Sequence, residues 1–394
     1  MDERKLELRA RILERIDLSK DISDEEILLL IREEIVRLGQ DIPLPISERK
    51  RLERELYNSL RKLDILEDLL SDESITEIMI NGPDNIFIER GGILRESGLR
   101  FSSSEKLSDV VQQIVSENNQ AVNESIPIVD TRLKDGSRVN IVLPPVAVDY
   151  AIISIRKFPK EKMTMEKLVE NGSISAEIAD FLRTLVVSGY NLFISGSTGA
   201  GKTTLINALS DYIPKEERVI TIEDSAELQL RGIRNLVRLE SRNATLEGKL
   251  EITIRDLVKS ALRMRPDRII VGECRGAEAL DLLQANNTGH DGSLSTGHAN
   301  SNRDMISRLE TMVLMGMDLP IPAIRSQIAS GFDIFVHIER MSDRTRKITE
   351  VSEVDGIKDG EVNLRPIYSY DYGERTWRKE NELLHREKLI RRAS

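Results

Sequence analysis

Eight consecutive residues, Gly196, Ser197, Thr198, Gly199, Ala200, Gly201, Lys202 and Thr203, leave this chain few ways to fold. Their glycines argue against helix or strand through the run itself. They also let the backbone wrap closely, with successive N–H groups turned toward one point. Asn191 to Ser195, just before, read as a short buried strand, and Thr204 to Leu209, just after, continue at helical spacing. A strand, a glycine loop and a helix in that order make a phosphate cradle, because the positive end of the helix adds to the loop amides. Lys202 supplies a point charge for the β- and γ-phosphates of a nucleoside triphosphate, and the Thr203 hydroxyl is placed to ligate Mg²⁺. Thr204 is counted with the loop as nucleotide-binding.

At 394 residues the chain exceeds one ordinary core, so two or three domains are expected. No apolar run approaches the length of a bilayer span, and Met1 to Lys5 open with charges rather than a signal peptide. These features predict a cytoplasmic protein with no direct membrane insertion. Cys274 is the single cysteine, which excludes a disulfide framework and a cysteine cluster for zinc. A net charge of −10 disfavours a nucleic-acid backbone as the main partner.

Residues 1–62 have a charged, helical texture. Ile27, Ile31, Ile35 and Leu38 recur at helical spacing, Pro43 and Pro45 interrupt, and Leu52, Leu56 and Leu60 resume. Over 63–158 the pattern is α+β, with strands at 78–80, 85–89, 139–143 and 151–156 and a helix carrying Leu107, Val110, Val111 and Ile114 on one face. A linker is expected at 159–163. From 164 to 372, short apolar strands at 192–195, 219–222, 269–271, 294–296 and 334–338 alternate with helices. That alternation predicts an α/β domain, a parallel sheet covered on both faces that binds ligands at the carboxyl ends of its strands. Residues 373–394, with Arg378, Lys379, Arg386, Lys388, Arg391 and Arg392, read as a basic tail with a short helix near 383–390, expected to be a solvated end, with a docking role as the alternative.

Glu223 and Asp224 follow the strand 219–222, and Glu273 follows 269–271, so both strand ends face the phosphate loop in a parallel sheet. Carboxylates there can polarise water or hold Mg²⁺ through its water shell. The glycine-rich segment 286–300 carries His290 and His298. A histidine here can donate to a γ-phosphate and so report its loss, with plain loop histidines and a metal site, for which nearby ligands are too few, as the alternatives. Arginines are the third component, because charge developing on the γ-phosphate is often neutralised from outside the loop. Arg132, Arg138 and Arg156, and also Arg263, Arg265 and Arg268 ahead of the second acidic strand, are the candidates.

The loop, Thr221 to Asp224, Ser260 to Glu273 and Thr288 to Ser301 resemble the Walker A, Asp-box, Walker B and His-box motifs of the type II/IV secretion ATPases. The helical N-terminal module, Ile78 to Pro83 and Asp135 to Asn140 look most like the CpaF/TadA branch, the motor of tight-adherence pili. The resemblance implies a RecA-like ATPase domain joined to a PAS-like N-terminal domain, a homohexamer, and ATP as substrate with Mg²⁺. It implies an inner-membrane platform protein of the pilus as partner, beside which the ring sits peripherally. By the same resemblance Glu223 activates water, Glu273 is the Walker B acid on Mg²⁺, His290 and His298 are nucleotide contacts, and Arg138 and Arg156, with Arg132 behind them, are finger candidates. Gly272 stands where most phosphate-loop ATPases carry aspartate, and Cys274 where valine is expected. Two rivals are a nucleic-acid translocase on the same fold and a nucleotide-gated scaffold with little turnover. Aromatic residues at 4% weigh against the first, and the presence of Lys202, Glu223 and Glu273 weighs against the second.

Overall fold

Apolar residues recurring every three or four positions fold the start of the chain into α1 (Glu3–Arg15), α2 (Asp24–Asp41) and α3 (Ile46–Arg61). Leu8, Ile12, Ile27, Ile31, Ile35, Leu52 and Leu56 form their shared core. The computed structural model describes residues 3–16, 22–41, 43–158, 163–230, 232–242 and 251–393. They fall in two units, Met1–Lys162 and Met163–Ser394. Of the linker expected at 159–163, only Met163 lies within the described residues.

After α4 (Leu66–Ser71), the first unit builds an antiparallel sheet from β1 (Ile75–Asn81), β2 (Ile86–Arg90), β3 (Ile93–Glu96), β4 (Ile128–Arg132), β5 (Arg138–Val142) and β6 (Ile152–Arg156). Its strand order is β3-β2-β1-β6-β5-β4. One face is covered by α5 (Ser104–Ser116), whose Leu107, Val110, Val111 and Ile114 pack with Ile78, Ile80, Val139, Ile141, Ile153 and Ile155. The Ser103 hydroxyl caps α5 by accepting from the Lys106 N–H. The buried Lys106 ammonium donates to the Ser59 carbonyl on α3 at 2.7 Å, which ties the helical module to the sheet layer.

The second unit carries α6 (Met165–Glu170), α7 (Ala176–Val187), β7 (Leu192–Gly196), α8 (Lys202–Ser210), β8 (Arg218–Glu223), β9 (Asn235–Glu240), α9 (Ile254–Ala261) and β10 (Arg268–Val271). It continues with α10 (Glu278–Asn287), β11 (Leu294–Gly297), α11 (Asn302–Gly316), α12 (Ile321–Gly331), β12 (Ile334–Arg340), β13 (Arg346–Lys358), β14 (Glu361–Asp371), β15 (Thr376–Lys379) and α13 (Glu387–Ala393). The sheet runs β15-β14-β13-β12-β7-β11-β10-β8-β9. From β12 to β9 it is parallel, as expected, but β13, β14 and β15 extend it antiparallel, so the sheet is mixed. Strand residues alternate between two buried faces. Leu192 and Ile194 join the core that holds α6, α7 and α8, while Phe193 joins the one that holds α9, α10, α11 and α12.

The expectation of a solvated tail is corrected. Residues 376–379 pair with β14, and Leu383 is buried. Glu353, itself buried, accepts the N–H groups of Leu384 and His385 at 2.9 and 2.7 Å, and the Tyr190 hydroxyl donates to the His385 carbonyl at 2.7 Å. Lys388 lies 2.7 Å from both Asp291 and Asp333. The basic composition thus conceals a docked segment: one lysine is consumed by two acids and one leucine by the core. No helix among the described residues is long and apolar enough to cross a membrane.

Candidate functional site

Three neighbouring strands, β7, β11 and β10, deliver the residues of the site at their carboxyl ends. From β7 the chain passes through the glycine loop into α8. A Cβ on Gly196 would stand 2.3 Å from the Ile338 carbonyl oxygen, so no side chain fits at the loop's root. Gly201, at φ 104°, turns the chain in the left-handed region directly before α8. Ser197, Thr198 and Gly199 are exposed, whereas Ala200 is buried, so the tip faces solvent on an anchored base. Thr203 and Thr204, half-buried, stand in the first turn of α8.

The Lys202 ammonium donates to the Gly196 and Ser197 carbonyls at 3.0 Å each and lies 3.2 Å from Nδ1 of His298, which follows β11. Burial lowers its pKa to about 8. On the other side of the imidazole, Nε2 lies 2.9 Å from Oε1 of Glu273, which follows β10. Burial and the nearby Lys202 lower the pKa of His298, which favours a neutral ring that accepts at Nδ1 and carries its proton on Nε2. Arg275 closes the far end, bonding Oε2 of Glu273 at 2.8 Å and approaching Asp224 at 3.6 Å. Burial alone would raise the Glu273 pKa, but the Arg275 hydrogen bond, with His298 and Lys202 nearby, outweighs it and holds the carboxyl below its ordinary value.

Mg²⁺ fits this donor set. His298 and Arg275 both come within 2.9 Å of Oε1 of Glu273, yet among the described residues no N–H is aligned on this buried oxygen, so it can accept from a metal-bound water.

Glu223 ends β8, one strand beyond β10, and is 3% exposed. Its Oε1 accepts the N–H groups of Glu227 and Leu228 at 2.8 Å each, while Oε2 is buried with no hydrogen-bond partner among the described residues. Burial wins over those two bonds and raises its pKa to about 7. Gly272 makes room for it: a Cβ there would lie 2.7 Å from Cγ of Glu223. The missing aspartate at position 272 is therefore a packing requirement of the neighbouring strand. Cys274 is wholly buried in the core, with its N–H on the Thr296 carbonyl at 2.7 Å.

Within the second unit, several candidates do not join the cluster. His290 precedes β11 rather than following it, and its Nδ1 lies 3.2 Å from the Ala285 carbonyl at the end of the sheet away from the loop. Arg263, Arg265 and Arg268 likewise precede β10; Arg268 is 1% exposed, bonded to Glu217 and to the Gly292 carbonyl. In the first unit, Arg132 stands directly opposite Arg138, and Arg138 opposite Arg156, making a row across β4, β5 and β6. The row lies on the face away from the α5 core, since the adjacent Val139 and Ile155 point into it. Arg156 also faces Glu77, at 3.8 Å. The histidine relay beneath the loop, Ser195, His337 and Asn302, was missed from sequence, because its members come from three distant segments.

Residues 59–353 match the family described as Type II/IV secretion system protein. The chain is 34% identical over 326 residues to a putative conjugal transfer protein, Rv3659c, of Mycobacterium tuberculosis, covering 81% of this chain and 92% of that one. It is 33% identical over 324 residues to the type IV secretion system protein PtlH of Bordetella pertussis, covering 75% and 95% respectively. Among solved structures, the Legionella pneumophila ATPase DotB shares the fold at 23% identity and a TM-score of 0.52, covering 73% of this chain and 79% of that one.

Proposed function

The chain belongs to the type II/IV secretion system protein family and is an ATPase with a RecA-like fold, and from that premise we propose that it is the hexameric motor of a tight-adherence pilus. The observation that carries the chemical part is the contact of Lys202 with His298 and of His298 with Glu273. Phosphate grip, imidazole and acid follow the carboxyl ends of three neighbouring strands, so a change at the γ-phosphate felt by Lys202 passes directly to Glu273.

In this mechanism Lys202 exchanges the loop carbonyls for phosphate oxygens, and the loop amides hold the β-phosphate. Thr203 and Glu273 would hold Mg²⁺, which when bound would neutralise charge on the phosphates. Glu223 takes the proton of the attacking water through its free Oε2; a pKa near neutrality suits a general base at neutral pH. Arg138 and Arg156, with Arg132 beside them, supply the cationic finger, an inference supported by the concentration of like charge in one row. His298 senses the γ-phosphate and His290 has no part. The net charge of −10 suits docking on the basic cytoplasmic face of an inner-membrane platform protein, which keeps the motor at the membrane without entering it.

A second reading, a conjugation or type IV secretion ATPase with the same chemistry, draws on the descriptions of the two curated relatives. Hydrolysis of Mg²⁺-ATP by the purified chain, with its size measured with and without nucleotide, tests the shared part. Lys202→Ala is expected to abolish binding, and Glu223→Gln to lower turnover by about 100-fold or more. Near-normal turnover in Glu223→Gln removes it as the base. In the source organism, loss of surface pili on deletion supports the pilus motor, whereas intact pili with lost conjugation or secretion supports the second reading.

A further inference from the structure

Beneath the phosphate loop lies a buried polar relay that the chemistry above does not use. Ser195, the residue before Gly196, is wholly buried, and its Oγ lies 2.7 Å from Nδ1 of His337 on β12 and 3.0 Å from Oδ1 of Asn302. Asn302, also wholly buried, opens α11 four residues after His298, and its Nδ2 donates to the Phe335 carbonyl at 3.3 Å. Three segments meet here: the root of the phosphate loop, the root of the histidine segment, and the strand whose Ile338 carbonyl backs onto Gly196.

The proton directions follow from counting donors. If Ser195 gave its only proton to His337, the Asn302 carbonyl oxygen would be left buried without a donor, a costly arrangement. If instead Nδ1–H of His337 donates to Ser195, the Ser195 hydroxyl is free to donate to Asn302, with the Val336 carbonyl at 3.4 Å as its other acceptor, and one N–H of the Asn302 amide donates to the Phe335 carbonyl. At the other ring nitrogen, Nε2 lies 3.6 Å from Oε1 of Glu339, an oxygen already accepting from Tyr372 and Thr349 at 2.9 and 3.1 Å. That carboxylate oxygen is thus satisfied without a proton on Nε2.

We propose that His337 is a positioning residue for ATP hydrolysis: its Nδ1–H, through Ser195 and Asn302, locks the phosphate loop to the His298 segment and so fixes Lys202, His298 and Glu273 relative to one another. This deepens the ATPase reading and rests on it. Because no side chain of the relay is itself assigned to phosphate or Mg²⁺, its loss acts on geometry more than on nucleotide affinity, and small misplacements of reacting groups cost large factors in rate.

The test compares full-length wild type with His337→Leu, His337→Asn and Ser195→Ala, measuring kcat and KM for Mg²⁺-ATP and the thermal midpoint. Asparagine keeps an N–H near the Nδ1 position and leucine does not. The expected result is a kcat about tenfold or more lower in His337→Leu and Ser195→Ala, with KM moved less than about threefold, and recovery to within about threefold of wild type in His337→Asn. Wild-type kcat in both Leu and Ala variants, or no recovery with Asn, overturns it. Should His337→Leu fail to fold, Ser195→Ala carries the comparison. Nitrogen NMR of histidine-labelled protein, assigned with His337→Asn, reads the tautomer without activity: an Nδ1-protonated His337 is expected, and one protonated only at Nε2 overturns the relay. An inactive wild type with the Nδ1 tautomer would instead sink the ATPase reading alone.

Discussion

At the scale of single residues, burial sets both key titrations. Lys202, lowered to about 8, is half deprotonated at pH 8, and a bound triphosphate must restore its charge. Nucleotide binding at pH 8 is therefore expected to take up about half a proton at this site, read by calorimetry in buffers of differing ionisation enthalpy, with the uptake gone at pH 6.5 and in Lys202→Arg. Glu223 has the opposite sign. Its pKa rises from 4.5 to about 7 on folding, so its stabilising contribution is complete below about 4.5 and is lost as pH climbs through 7. Glu223→Gln should melt above wild type at pH 8, by up to about 3 kcal/mol, and match it near pH 4.5. Among the site residues, the loop and His298 were legible because their spacing is local. His290 was misjudged although the signal was present: the strand Leu294–Gly297 lies between the two histidines, and residues that enter a parallel strand stand at the edge opposite those that leave it.

Between elements, one tight constraint is the contact of β8 with the turn after β10. A methyl at position 272 collides with the Glu223 side chain, so Gly272→Ala should cost about 1–3 kcal/mol in urea unfolding. In a Glu223→Ala background most of that cost should vanish, and simple additivity would show the contact to be unimportant. The five central strands were legible because each is a short apolar run buried on both faces, as Leu192–Gly196 is along its whole length. The antiparallel extension was not. In β13 the pairing slips between Val351 and Ser352 and again between Val354 and Ile357, so its buried Ile348, Val351 and Val354 recur every third residue and the period of two is broken. β9, an edge strand with no fully buried residue, gives a weak apolar signal.

For the whole molecule, the docked C-terminal segment matters most, because composition alone marks it as expendable. Ending the chain after Glu380 removes Leu383 from the core and leaves Asp333, Glu353 and Tyr190 without the partners described above. Such a truncation should lower the thermal midpoint and speed proteolysis within 163–380. Lys388→Ala alone should cost about 1–3 kcal/mol, since two carboxylates lose their shared cation. A truncated chain as stable as the full one would show that the docking is incidental.

Tyr190, which holds the His385 carbonyl, stands two residues before β7, the strand that launches the phosphate loop. The underside of the catalytic half is thus finished by residues that leave the ribosome after the sheet they seal. During synthesis this half waits, incompletely sealed, until residues 383–388 have emerged, while the antiparallel half ahead of it has its whole sequence free to fold. A nascent polypeptide stalled shortly before residue 381 would be expected to recruit chaperones through the second half and not the first.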